Sequence, residues 1–400
     1  MFALNTHPDY RKPLGPADVA LAGHASAAEA ERFFSLHTAY APTPLRTLPA
    51  LARAAGVGAI HVKDESERLG LFSFKALGGM YAVARLVLEQ AGEALGRTLA
   101  IDELDKPEVR AIAATIVVVC ATDGNHGRSV AAGARLVGAK SRIFVHAGVS
   151  DERRAAMARL GATIIAVAGS YDDSVVAADQ ACAEQGWHCV SDTSWPGYER
   201  IPGHVMQGYS LLMKEVLGQL GQAPTHVFIQ AGVGGFAASV ALYLANALAS
   251  ERPCFVVVEP SRAACLLESM RAGEAIRIAH GQPTVMTMLE CYTPSLTAWR
   301  VLSRLADVFM TVDEEEAVAI MRRLARPLAG DPPIVAGESG GVGLAGLLQA
   351  TGNAGLRCAL GLTDQSRILV VNTEGATDPA QFEALVGAAS GAIRGSASCA

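Results

Sequence analysis

Short apolar runs rich in β-branched residues alternate along this chain with longer stretches whose apolar positions recur at helical spacing. Ile60–Lys63, Thr115–Cys120, Arg142–His146, Thr163–Val167, His226–Gln230, Cys254–Glu259 and Ile368–Val371 read as strands. Helical patterns cover Gly127–Val137, Asp151–Leu160, Asp172–Gln185, Phe236–Leu248 and Arg262–Met270. The alternation predicts an α/β fold with open, mostly parallel sheets and helices on both faces, because parallel neighbours require crossovers that pack back onto the sheet. In such sheets ligands bind beyond the carboxyl ends of the strands. Three glycine-rich or polar segments follow strands and are the places to seek chemistry: Ala121–Gly127, Ala231–Phe236 and Thr373–Thr377.

Composition narrows the classes of partner. Of 400 residues half are hydrophobic, 18% are charged and 40 are glycine, which suits a well-buried enzyme and argues against disorder. The 33 basic and 39 acidic side chains leave a formal charge of −6, with no long basic run, so nucleic acid and anionic membrane surfaces are poor partners. The apolar stretch Ala111–Ala121 is too short to span a bilayer. The first residues show no basic segment followed by an apolar one, and the cysteines show no paired CxxC spacing, Cys182 and Cys189 lacking a nearby second pair. No signal peptide, no zinc or other metal site, and a cytoplasmic location with mostly reduced thiols are therefore expected.

Each candidate segment has a plain structural reading beside a chemical one. Gly232-Val233-Gly234-Gly235 lies between the strand ending at Gln230 and a helix, where successive backbone N–H groups and a helix N-terminus suit a phosphate; a tight strand–helix turn needs the same glycines. No lysine follows, so this is no P-loop, and Gly232-x-Gly234-x-x-Ala237 matches a dinucleotide turn only loosely. Lys75, in Leu71-Phe72-Ser73-Phe74-Lys75-Ala76-Leu77-Gly78-Gly79, opens a helical pattern. A lysine there is ordinarily solvated, but a buried one has a lowered pKa and can form a Schiff base with an aldehyde. Thr122-Asp123-Gly124-Asn125-His126-Gly127 fits a tight corner, or a carboxylate held at a helix start.

Together, Ser73-Phe74-Lys75, Thr122–Gly127, the glycine loop and Asn372-Thr373-Glu374-Gly375 resemble the fold-type II pyridoxal-phosphate enzymes, the tryptophan synthase β-like family, from about Leu45 to Asp378 and in the family's order. The resemblance implies a cofactor, pyridoxal 5'-phosphate, carried on Lys75. It implies Asn125 at the phenolic oxygen, Gly232, Val233, Gly234 and Gly235 at the phosphate, and Thr373 at the pyridine nitrogen. A neutral hydroxyl at that nitrogen makes a weaker electron sink than a carboxylate would, which favours elimination over transamination. By the same resemblance the architecture is a large domain, residues 1–75 and 196–400, with a smaller inserted domain, residues 76–195. The active site lies in the cleft, and a homodimer is the expected assembly.

Asp123 stands where serine and threonine dehydratases of this fold carry serine, and a negative charge beside a substrate carboxylate calls for a positive partner. Asp192, in Cys189–Tyr198, reads as a cap for the next element or as a second acidic substrate residue. The run from Ser191 to Tyr209, with Gly169–Asp173 and Gly337–Gly341, resembles the diaminopropionate ammonia-lyases more narrowly. That likeness implies a small amino-acid substrate, D- or L-2,3-diaminopropionate, converted to pyruvate and two ammonia. Thr122, Asp123, His126 and Asp192 would handle substrate, Lys75 would serve as base for the L-isomer and Asp123 for the D-isomer. Tyr171 and Glu338 read as surface or capping residues, or as supports behind the residues that touch substrate. The rivals are a serine/threonine dehydratase or hydroxyaspartate β-eliminase of the same fold, a nicotinamide-dependent dehydrogenase, which lacks an acidic residue at the right distance from Gly232, and a non-catalytic relative that binds the cofactor.

Overall fold

The computed structural model describes residues 1–122 and 124–397. Its strands are β1 (Phe2–Leu4), β2 (Leu45–Thr47), β3 (Ala59–Asp64), β4 (Val117–Ala121), β5 (Lys140–His146), β6 (Thr163–Val167), β7 (His188–Cys189), β8 (His226–Gln230), β9 (Cys254–Pro260), β10 (Val308–Val312) and β11 (Arg367–Asn372). All seven expected strands are present, with ends shifted by up to two residues. β5 starts two residues early; β4 starts two residues late because the Thr115 and Ile116 N–H groups are spent closing the turn after helix Pro107–Ala113. Among the expected helices, the one read from Arg262 begins at Cys265.

The strands form two sheets in two compact units. One unit comprises Met1–Ala20, Pro42–Ser73 and the chain from Leu212 on. Its sheet runs β1-β10-β9-β8-β11-β3-β2, parallel throughout except for the two edge strands. Phe228, Val256, Val258, Val308, Met310, Ile368 and Val370 share one core with Leu344 and Leu347 of helix Val342–Gly352. Each such side chain contributes roughly 1.5–3 kcal/mol by leaving water. Central β8 is buried at every position and delivers Gln230 and the glycine loop at its carboxyl end.

The other unit comprises Leu21–Ala41 and Phe74–Leu211, around the parallel sheet β6-β5-β4-β7. Val119 and Phe144 pack on Ala178 and Trp187, the former from helix Tyr171–Gln185. The units part at Ser73, within two residues of the expected boundary at 75, while the other expected boundary, near 195, lies inside the second unit, which runs to Leu211 and also takes in Leu21–Ala41. Helix His24–His37 joins the second unit because Phe33 meets Tyr81 edge-on, with ring centroids 6.0 Å apart, and Glu29 accepts hydrogen bonds from Tyr81 and Arg85. Helix Arg200–Gln219 starts in the same unit, where His204 bonds Glu89 at 2.7 Å. Among the described residues no helix is long and apolar enough to cross a membrane.

Candidate active site

Lys75 and Asn125 each open a helix, Lys75–Leu95 and Asn125–Val137, and the packing of the two helices brings both starts together. A side chain at Gly133 would place its Cβ 2.8 Å from the Met80 Cα, so only glycine lets the backbones approach this closely. Ser129 locks the contact: its Oγ accepts the Met80 N–H at 3.0 Å and donates to the Ala76 carbonyl at 3.2 Å. Lys75 Nζ contacts the Asp192 carboxylate directly, each side chain remaining about a fifth exposed. The Phe74 ring lies 5.8 Å from Nζ and packs on Tyr209.

Asp192 caps no helix, since the next one begins at Arg200. Burial alone would raise its pKa. The Lys75 charge and the hydrogen bond from Lys75 outweigh that and hold the carboxyl well below the usual range, so it is ionised. His126 is buried and its ring Nε2 lies 2.8 Å from the Val190 carbonyl, so this nitrogen carries the hydrogen. Burial, with a smaller push from the Lys75 charge, lowers the His126 pKa against the pull of Asp192. Its Nδ1, 3.9 Å from Asp192, has no hydrogen-bond partner among the described residues. Thr122 Oγ1 accepts the N–H groups of Gly124 and Gly127 at 3.1 and 3.3 Å, which braces the corner. Asp123 lies outside the described residues.

In the first unit, Gly234 adopts φ +97° and immediately precedes helix Gly235–Leu248, whose first turn has no side-chain cap. A Cβ on Gly234 would meet Leu302, Ala298 and Leu266 at 3.1–3.3 Å, and one on Gly232 would come within 2.8 Å of the Cys291 sulfur. The loop is thus a bare backbone cradle at the positive end of a helix dipole, suited to a dianion. Thr373 is buried at the end of β11, and its Oγ1 accepts from Gln230 Nε2 at 3.0 Å. The Gln230 amide is oriented by the carbonyls of Gly340, Ser339 and Val371 at 2.6, 3.1 and 3.1 Å. Gln230 Oε1 and Ser339 Oγ have no hydrogen-bond partner among the described residues, so polar capacity remains beside the Thr373 hydroxyl.

Residues 36–374 match the family described as "Pyridoxal-phosphate dependent enzyme". The chain belongs to that family. The diaminopropionate ammonia-lyase of Escherichia coli K12 is 38% identical over 364 residues, 89% of this chain and 90% of that protein. The Salmonella typhimurium enzyme of the same name is 37% identical over 87% of this chain and 88% of its own length. A crystal structure of the E. coli ammonia-lyase, in complex with an aminoacrylate-PLP azomethine reaction intermediate, matches with a TM-score of 0.86 at 35% identity, covering 96% of each chain.

The residues of this pyridoxal-phosphate enzyme fit its cofactor group by group: an amine at Lys75, a glycine cradle at 232–235 and a buried hydroxyl at Thr373. Lys63 is the contrasting lysine. It is fully buried, and its amine already meets Thr43 O, Gln219 Oε1 and Glu215 Oε2 at 2.6–2.9 Å. Sequence reasoning missed Gln230, Ser339 and Tyr198. The polar residue ending the all-apolar run of β8 was the available signal for Gln230. Glu338, read as a surface or capping residue, is buried, whereas Tyr171 is 40% exposed at a helix start.

Proposed function

We propose that this enzyme is a lyase acting on 2,3-diaminopropionate, releasing its β-amino group as ammonia and leaving pyruvate and a second ammonia. The observation that carries the proposal is the ion pair of Lys75 with an ionised Asp192. Serine and threonine offer no charge to replace Lys75 beside that carboxylate; the β-ammonium of diaminopropionate does. The named ammonia-lyases support the same reading.

Pyridoxal phosphate, when bound, draws electrons from the substrate Cα and makes its proton removable. Lys75 would hold the cofactor's aldehyde carbon, the 232–235 loop its phosphate, Thr373 its ring nitrogen and Asn125 its phenolic oxygen. Asp192 binds the β-ammonium and so releases Lys75 from its ion pair. No longer held in its charged form by that carboxylate, Lys75 as the neutral amine takes the Cα proton of the L-isomer at Nζ. His126, neutral, offers its Nδ1 lone pair on the same side as Asp192 and helps hold the ammonium until ammonia departs. Asp123, by its place in the family's loop, serves the opposite face for the D-isomer. Family resemblance likewise supports a homodimer in the cytoplasm.

The deciding experiment follows pyruvate and ammonia from purified protein given DL-2,3-diaminopropionate, L-serine or L-threonine. Two ammonia per pyruvate, with the highest kcat/KM for diaminopropionate, is expected. A higher kcat/KM for serine or threonine would overturn the assignment.

A further inference from the structure

The segment between β7 and Asp192 is gripped at the two peptides that flank Val190. Val190 donates its N–H to the Val119 carbonyl at 2.7 Å, and its own carbonyl accepts from His126. The Tyr198 hydroxyl holds the residues on either side: it accepts the Ser191 N–H at 3.1 Å and donates to the Cys189 carbonyl at 2.9 Å. One oxygen therefore bridges two successive peptides on the approach to Asp192. The Tyr198 ring is itself fixed. It stacks on Trp195 with centroids 4.2 Å apart and planes 15° apart, and the two residues exchange backbone hydrogen bonds at 2.9 and 3.3 Å. Ser191 Oγ then accepts the Thr193 N–H at 3.2 Å, a side-chain turn with Asp192 at its centre.

We propose that Tyr198 is a positioning residue: its hydroxyl sets where the Asp192 carboxylate stands, and through Asp192 it governs selectivity for a substrate bearing a β-ammonium group. The inference rests on the reading of Asp192 given above. A strand of two residues, His188–Cys189, supplies little ladder of its own to aim the chain after it. The phenol supplies the missing constraint. Burial, followed by the nearby Cys189 thiol, pushes the Tyr198 pKa upward, so the group remains a donor across the working pH range. The hydroxyl is spent on the Cys189 and Ser191 peptides, and its effect on the reaction passes through the carboxylate.

The test compares wild type with Tyr198→Phe, Asp192→Asn and the double variant, as holoenzymes, on L-2,3-diaminopropionate and L-β-chloroalanine, whose β-substituent carries no charge in the substrate. Tyr198→Phe is expected to lower kcat/KM for diaminopropionate about five- to tenfold, mainly through KM, and for chloroalanine less than about twofold. In the Asp192→Asn background the same change should add less than about a twofold further loss, because its route has been removed. Equal losses on both substrates, or full additivity with Asp192→Asn, would overturn the role of Tyr198 while a selective Asp192→Asn effect left the reading of Asp192 standing. If Asp192→Asn itself proves unselective, that reading falls and the inference with it. Should Tyr198→Phe not fold, Trp195→Leu, which removes the stack and keeps the hydroxyl, takes its place on both substrates. A loss confined to diaminopropionate then supports the role of Tyr198, and an equal loss on chloroalanine overturns it.

Discussion

Lys75 Nζ and the Asp192 carboxylate, 117 residues apart in the chain, form a direct ion pair in the second unit. The pair makes two demands compatible. A lysine that is to act as a base must shed its proton, and a carboxylate that is to hold a substrate ammonium must stay charged. Asp192 is ionised despite its partial burial, and the Lys75 ammonium is its cation.

Borohydride reduction of the yellow holoenzyme should fix the pyridoxyl group on Lys75 and abolish its absorbance above 400 nm, a rough position for such chromophores. Lys63 should carry none, since its amine is already committed to three acceptors. Peptide mapping decides between them. Lys75→Ala should retain cofactor through the phosphate loop and lose on the order of 10²–10⁴-fold in kcat.

Replacement of Gly234 by valine should weaken cofactor retention at least about tenfold, because a β-branched residue is strained at φ +97° and its Cβ presses on Leu302, Ala298 and Leu266. Fluorescence titration of the apoenzyme with pyridoxal phosphate measures this, and excess cofactor should restore part of the activity. Unchanged cofactor affinity with reduced turnover would remove the phosphate role from this loop.

Stability should respond to pH through His126. Its folded pKa is depressed below the ordinary histidine value of about 6.5. The unfolded chain therefore takes up a proton that the folded chain resists as pH falls below that value. The stabilisation is complete above about pH 6.5 and declines toward the lower folded pKa. Thermal unfolding of His126→Asn should accordingly show a shallower loss of Tm between about pH 7 and 5 than wild type. Parallel curves would mean that the His126 pKa is not depressed in the native state.

Asp123→Asn should remove most activity on D-2,3-diaminopropionate and spare a larger share on the L-isomer, because Lys75 reaches one face of the bound substrate and the D-isomer presents its proton on the other. Both enantiomers are assayed with cofactor content checked by absorbance. Equal proportional losses with the cofactor retained would make Asp123 a shared binding residue.

Local pattern was enough to place the central strands, the crossover helices and the three ligand-bearing segments, because a buried strand must be apolar and a phosphate turn must be glycine-rich wherever they occur. The motif of Lys75, the Thr122–Gly127 corner, the glycine loop and Thr373 was legible for the same reason. Edge strands β1 and β2 and two-residue β7 were not, being too short to carry periodicity. The run Val308–Val312 carried an ordinary strand signal that went unread. Helix His24–His37 has an amphipathic pattern, but no pattern names the surface it covers; Phe33 on Tyr81 does. The sequence by itself also left Asp192 divided between a cap and a substrate residue. Tertiary packing set the cap aside and placed Asp192 against Lys75, since Lys75, His126 and Tyr198 converge on residues 189–192 only once helix Lys75–Leu95, helix Asn125–Val137 and strand β7 have packed. Backbone preference acts over a few residues and is written in their order. The charge of a buried carboxylate is set by whichever groups the fold carries to it from far along the chain.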